Sequence, residues 1–440
     1  MIALLLLLSI GGLMHVAGTF SMSAGTSGTL LAFGYLLLVA YFAGQLMARL
    51  KLPRLSGYLL AGVVSGPFVL ELVTTQMTGK LRIVNNVATC ILGLVAGAEL
   101  NFDRVRPIMR TIRWIMVLAV VGGMVALTGV LFAMRSLLPV FHGIPVGEAL
   151  VMCVVIAVAL SPQSPAIVLA LQSETRADGP LSRMFLALVV VADLVVVVVY
   201  SVVAASGSAL IGSGVDVVAT ALAVGWELLG SIVFGVAIGM LLGLFLRTVK
   251  EGAPMFALMV CVVVAEIGSR IHLDPLIVML AAGIWLENFA RADASDLIHG
   301  FESAQLPVFL VWFALAGMRL DLPQLWALAL PVVVIAATRA AAYYLGARAA
   351  CRLTGIDPVV ARYAWVGLVP QAGLTLALVV VIQSTFPSFG PFAAVLMLSV
   401  LGVNQLIAPV LLRIALVRSG ESGKRQAPDF AAQERGVTSA

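Results

Sequence analysis

Ala159-Leu160-Ser161-Pro162-Gln163-Ser164-Pro165-Ala166-Ile167-Val168, followed after a short polar turn by Val190-Val191-Ala192-Asp193-Leu194-Val195, sets the architecture of this chain. Two prolines stand in the middle of one hydrophobic segment, and one carboxylate stands in the middle of the next. A helix running through Pro162 and Pro165 loses backbone hydrogen bonds. At bilayer depth the freed polar groups survive only where they are buried in protein or line a cavity. A lone Asp at that depth costs roughly 2.5–3.5 kcal/mol on insertion scales and is retained for a function. An interrupted helix beside a buried acid therefore predicts a site for a small cation.

The rest of the chain fits a membrane setting. Of its 440 residues 62% are hydrophobic and 11% charged, against about 25% charged in a soluble domain. With about 20 apolar residues per crossing, the sequence reads as an all-α polytopic membrane protein of 13–14 transmembrane helices. Residues 1–28 form an extra N-terminal span or signal-like segment and a Ser/Gly linker; the lack of a basic start argues against a signal. The apolar runs from 29 to 417 form one membrane domain. The run 215–246 is too long for one upright span, so its first part is expected along the interface. Residues 418–440 read as a disordered cytoplasmic tail, with no regulatory nucleotide-binding domain expected after the spans.

Lys and Arg give the direction. With the loop at Arg49, Lys51 and Arg54 in the cytoplasm, alternation places 20 of the 26 basic residues on that side. Lys80, Arg82, Arg135, Arg270 and Arg319 fall outside, and Arg339 lies within a span. The net charge of +5 is thus a topology signal rather than a nucleic-acid one. Cys90, Cys153, Cys261 and Cys351 have no metal-ligand spacing and read as small buried hydrophobes. No Walker loop is present, so no ATP drive is visible. Neither a nucleophile–base pair nor a metal cluster suggests an enzyme, and no cofactor is implied.

Two short matches recur. Ala96-Gly97-Ala98-Glu99-Leu100 pairs with Ala316-Gly317-Met318-Arg319-Leu320, and Ser161-Pro162-Gln163-Ser164-Pro165 pairs with Val369-Pro370-Gln371-Ala372-Gly373. Their order is the same, and the charge count makes the two copies run in opposite directions. Corresponding Gly/Pro-interrupted spans in two inverted halves point to a transporter's binding site. Two discontinuous helices, broken at Pro162, Pro165, Pro370 and Gly373, are expected to cross near the midplane with opposed half-helix dipoles.

Asp193 lies ten residues beyond Arg183, about 15 Å into the membrane, and is the candidate ion- and proton-binding carboxylate. Ser161, Gln163, Ser164 and Gln371 offer oxygens that suit a hard cation, or they cap the broken helix ends; both readings stay open. Arg339, at similar depth and permanently charged, is expected to play a structural or charge-balancing part, or else to compete with the substrate cation for Asp193. Glu266, four residues before Arg270, is expected to pair or cap, and Glu227 to be solvated at the outer interface. None of the histidines (His15, His142, His272, His299) sits deep in a span.

These residues resemble the monovalent cation–proton antiporter superfamily, the sodium/proton exchangers, in the form of a Kef-like membrane domain. Lys51-Leu52-Pro53-Arg54-Leu55-Ser56-Gly57-Tyr58-Leu59-Leu60-Ala61-Gly62 with Gly66-Pro67 is similar to the family's opening "LPxxxGYLLAGxxxGP". The Ala96 and Ala316 turns are similar to its "aGlxl" turns, Gly367-Leu368-Val369-Pro370-Gln371-Ala372-Gly373 to its second broken helix, and Ala265-Glu266-Ile267-Gly268 also recurs there. Two positions depart. Many members read Pro-Thr-Asp-Pro where this chain has Pro162-Gln163-Ser164-Pro165. They also carry a polar residue before the acid, where this chain has Ala192. The family's second acid maps onto Asp193, and Arg339 stands at its basic position.

The resemblance implies the sodium/proton antiporter fold and a homodimer in a prokaryotic inner or plasma membrane. It also implies a core bundle, about 83–206 and 304–416, moving against a scaffold. The function expected is exchange of Na⁺ or K⁺ for H⁺ by alternating access, serving pH homeostasis. One carboxylate predicts one proton per cation, hence electroneutral exchange. Two other readings remain: a sodium-coupled organic-anion symporter, which shares crossed broken helices, and a non-transporting sensor or leak channel on the same fold.

Overall fold

The computed structural model describes residues 11–12, 27–74, 77, 82–98, 100–211, 225–248, 252–271, 273–290, 307, 309–371 and 373–424. The expectations for most of the N-terminal segment, for the interfacial stretch before 225, for Glu99 and for the chain beyond 424 fall outside these residues.

Every regular element among the described residues is helical. In lipid a single span can satisfy its own backbone only as a helix, and Val-, Leu- and Ala-rich runs bury no competing polar groups. Among the described residues seven segments are long and apolar enough to cross a membrane, and five shorter apolar helices accompany them. The chain is a multi-pass membrane protein. In order the helices are α1 Ser27–Arg49, α2 Arg54–Ser65, α3 Arg82–Ala98, α4 Arg106–Ala133, α5 Val146–Ala159, α6 Pro165–Thr175 and α7 Pro180–Ile211. There follow α8 Ser231–Thr248, α9 Ala253–Ile271, α10 Pro275–Phe289, α11 Phe309–Met318, α12 Ala329–Thr354, α13 Pro358–Tyr363, α14 Gly373–Thr385 and α15 Gly390–Arg418. Asp-Pro pairs start two of them. Asp274 and Asp357 each accept hydrogen bonds from the second and third backbone N–H groups of the helix that follows. Proline at the first helical position gives up a donor that had no partner there.

Helix contacts are close where glycines meet backbone. A Cβ on Gly97 would collide with the Leu280 carbonyl of α10, and one on Gly283 with the Leu94 carbonyl of α3. In the matching turn, a Cβ on Gly317 would strike the Leu59 carbonyl of α2. Small residues permit such approach, which substitutes for the hydrophobic drive absent in lipid. Gly283→Ala is therefore expected to destabilise the protein by about 1–3 kcal/mol through overpacking. A thermal unfolding midpoint in detergent that does not fall would contradict this.

The same close packing sets the surroundings of α3 and α11. One of its faces, with Cys90, Ile91, Leu94 and Val95, shares a buried cluster with Leu242, Cys261, Val264, Met279 and Ala282 of α8–α10. Helix α11, through Ala314 and Gly317, packs backbone to backbone on α2. The chain past 417 also differs from a wholly disordered tail. Arg418 ends α15, and Glu421 is buried. Its carboxylate accepts from Leu181 N (2.7 Å), Ser182 N (2.8 Å) and Ser182 Oγ (2.7 Å), capping α7. Four unpartnered N–H groups begin any helix, and an acid brought back from elsewhere in the chain satisfies some of them here, which local sequence does not announce.

Candidate functional site

Helix α5 ends at Ala159, Ser161–Ser164 are not helical, and α6 restarts at Pro165. Ser164 caps that restart, its Oγ accepting from Ile167 N at 3.3 Å. The second interruption follows α13. A tight helical turn over Ala364–Leu368 leads through Val369, Pro370 and Gln371 to α14 at Gly373. The prolines and Gly373 thus sit where the sequence places the breaks.

The two breaks face each other. Gln371 Nε2 donates to Leu160 O at 2.5 Å, and Asn404 Nδ2 of α15 donates to Gln371 Oε1 at 2.5 Å. Arg339 reaches both sides from α12. Its Nη2 donates to Pro162 O and Leu368 O, each at 3.1 Å, and its Nη1 to Val369 O at 2.7 Å. The guanidinium lies 4.7 Å from the Tyr343 ring centre and is 1% exposed. Tyr343 OH donates to Ser161 O at 3.2 Å and accepts from Gln163 Nε2 at 3.2 Å. Freed carbonyls at the C-terminal ends of half-helices carry partial negative charge. One buried cation gathers three of them.

Asp193 sits on the opposite sign of dipole. It projects from α7, half-buried, and its Oδ1 accepts from Gln163 N at 2.9 Å, just ahead of the N-terminus of α6. The carboxylate opens on a cavity of about 260 Å³ between α7 and α10, bounded also by Pro165 and Leu374. Its lining is apolar apart from Asp193, Asp274 and the Trp285 indole.

Of the residues singled out from sequence, Asp193, the four break residues, Gln163, Gln371 and Arg339 come together here. The side chains of Ser161, Gln163, Ser164 and Gln371 are each 0–1% exposed and do not line the cavity. Ser161 Oγ donates back to Ala157 O at 2.8 Å, and Gln163 Nε2 to Ser161 O at 2.5 Å. Arg339 meets carbonyls rather than the Asp193 carboxylate. Glu266 stands apart, in an exposed ion pair with Arg270 at 2.6 Å. Tyr343, Asn404 and Asp274 are contributors that the sequence reading passed over. Tyr343 falls one turn after Arg339, and Asn404 is a polar break in a long apolar run. Asp274 is an acid buried in the pattern of an ordinary N-cap. Among the described residues no group of three or more His, Cys, Asp or Glu side chains is placed to hold a metal.

Comparison with known proteins agrees with this architecture. Two structures of the sodium proton antiporter MjNhaP1 from Methanocaldococcus jannaschii share the fold. One, determined at pH 8, superposes with a TM-score of 0.63 at 13% identity over 90% of this chain and 99% of that one. The other, an electron-microscopy map, gives 0.66 at 13% identity over 88% and 94%. The iron transporter MagA of Paramagnetospirillum magneticum is 30% identical over 161 residues, 36% of this chain. The match spans about a third (34%) of that relative's length. The family model "sodium/hydrogen exchanger, transmembrane" matches residues 3–417. This chain accordingly belongs to the sodium/hydrogen exchanger transmembrane family, whose members are transporters rather than enzymes.

Proposed function

We propose that this cation/proton antiporter exchanges one Na⁺ or K⁺ for one H⁺ at Asp193 by alternating access. The supporting observation is the position of the carboxylate. One oxygen is anchored by Gln163 N, and the group opens on an apolar cavity beside two facing helix breaks. A proton and a cation compete for the same oxygens. Loaded with either, the site carries the same charge, because Arg339 is fixed and engaged elsewhere. Equal charge in both crossings makes the exchange electroneutral, and neither crossing moves a bare carboxylate through lipid.

The moving unit in this reading is α4–α7 with α12–α15, which carries both breaks, Asp193 and Arg339. The scaffold is α1–α3 with α8–α11, which agrees with the close glycine contacts of α3 on α10 and of α11 on α2. The cavity lies between one helix of each unit, α7 and α10. Ser161, Gln163, Ser164 and Gln371 then hold the breaks in shape, and unwound carbonyls supply further cation oxygens. The working form is a homodimer in the plasma membrane of a prokaryotic cell, where it serves pH homeostasis.

Purified protein in liposomes with a trapped pH dye tests this directly. An inward Na⁺ or K⁺ gradient should drive proton efflux at a rate unchanged by an imposed membrane potential. A rate that follows the potential would remove electroneutrality, and no cation-driven pH change would remove the exchange itself. The partial match to a protein named an iron transporter favours an Fe²⁺ arm in the same series.

A further inference from the structure

The cavity beside Asp193 is lined by a second acid. Asp274 opens α10 and lines the same space. Its Oδ1 accepts from Leu276 N at 2.7 Å and from Ile277 N at 3.1 Å, and its own N donates to Ser231 Oγ at 2.9 Å. No hydrogen bond reaches its Oδ2 among the described residues. Asp193 has the same arrangement: Oδ1 is anchored on Gln163 N, and no hydrogen bond reaches Oδ2 among the described residues. The two aspartates are the cavity's sole ionisable lining residues among those described.

Asp193 projects from α7 and Asp274 caps the start of α10, so one apolar space is lined by two carboxylates, one on each of the two helix groups. A cation leaving water for such a space loses hydration that apolar walls cannot replace. Fixed carboxylate charge does replace part of it, and low dielectric strengthens the attraction.

We propose that Asp274 is a specificity-determining residue of the exchange site, a negative charge on the scaffold side of the cavity that draws the cation to Asp193 without itself ligating it. This rests on the reading of Asp193 as the exchanging group. The charge of Asp274 acts on cation binding, so its loss raises the cation KM while leaving the maximal rate of exchange close to that of the parent.

The test separates charge from helix capping. Asn and Ser cap helices about as well as Asp, so Asp274→Asn and Asp274→Ser keep α10 started while removing the charge. In the liposome assay both variants should raise the apparent KM for the transported cation about tenfold, with Asp274→Glu recovering most of the affinity. The cation concentration giving half-maximal thermal stabilisation in detergent should rise in parallel. A purely capping role would leave Asn and Ser indistinguishable from the parent in KM, and that result overturns the proposal. Complete loss of exchange in Asp274→Asn at saturating cation also overturns it, because Asp274 would then be a primary ligand. Persistent exchange in Asp193→Asn is a different failure, that of the underlying reading.

Discussion

Asp193→Asn is expected to abolish cation-driven proton movement, lowering the rate at least about a hundredfold, since even residues that merely orient a metal ligand can account for ten- to a hundredfold in affinity. The substitution is a narrow one. The amide oxygen of Asn can still accept from Gln163 N, the bond that Asp193 Oδ1 makes at 2.9 Å. Shape, helix register and the anchor to the first break are kept. The titratable charge is what disappears, and with it both the proton site and the strongest cation ligand. Stability should hold or rise, because removing a charge from an apolar cavity also removes its desolvation penalty. Loss of exchange with an unchanged or higher thermal midpoint therefore identifies a functional role rather than a folding defect. Exchange that continues at the parent rate would place the chemistry elsewhere and leave the Asp193 cavity without its proposed task.

Much of this arrangement is legible in the sequence, for physical reasons. Proline inside an apolar segment has few structural meanings, so Pro162, Pro165 and Pro370 gave away both breaks. A mid-membrane acid is expensive enough that Asp193 stood out alone. The partners were harder to see. Ser161, Gln163, Ser164 and Gln371 read equally as ligands or as caps, since composition cannot tell a side chain turned into a cavity from one turned back to its own backbone. Arg339 reads in sequence as a charge in search of a carboxylate, whereas freed carbonyls, which every residue has, are invisible there. Asp274 was hidden by its own good local logic, because an Asp before Pro at a helix start raises no question. Glu421 was hidden by distance, 239 residues beyond the Ser182 backbone it caps.

Replacing Arg339 should have the largest effect on stability, and it distinguishes two accounts of this residue. Its guanidinium holds Pro162 O, Leu368 O and Val369 O, and it is 1% exposed. Removing it as Arg339→Leu leaves three carbonyls without that donor in a dry interior. Hydrogen bonds to charged groups contribute about 1.5–3 kcal/mol each, and breaking a buried charged network typically costs about 3–5 kcal/mol net. The variant should unfold well below the parent in detergent. Arg339→Lys keeps the charge but not the planar fork, so it should recover only part of the loss. If Arg339 existed mainly to neutralise Asp193, removing both charges would cost clearly less than the sum of the two single changes. If it mainly clamps the two breaks, the stability changes of Asp193→Asn and Arg339→Leu should add to within about 0.5 kcal/mol. The direct bonds run to carbonyls of both interrupted helices and none runs to Asp193, so the additive outcome is the one expected. A strongly compensating double variant would instead make the two charges a pair.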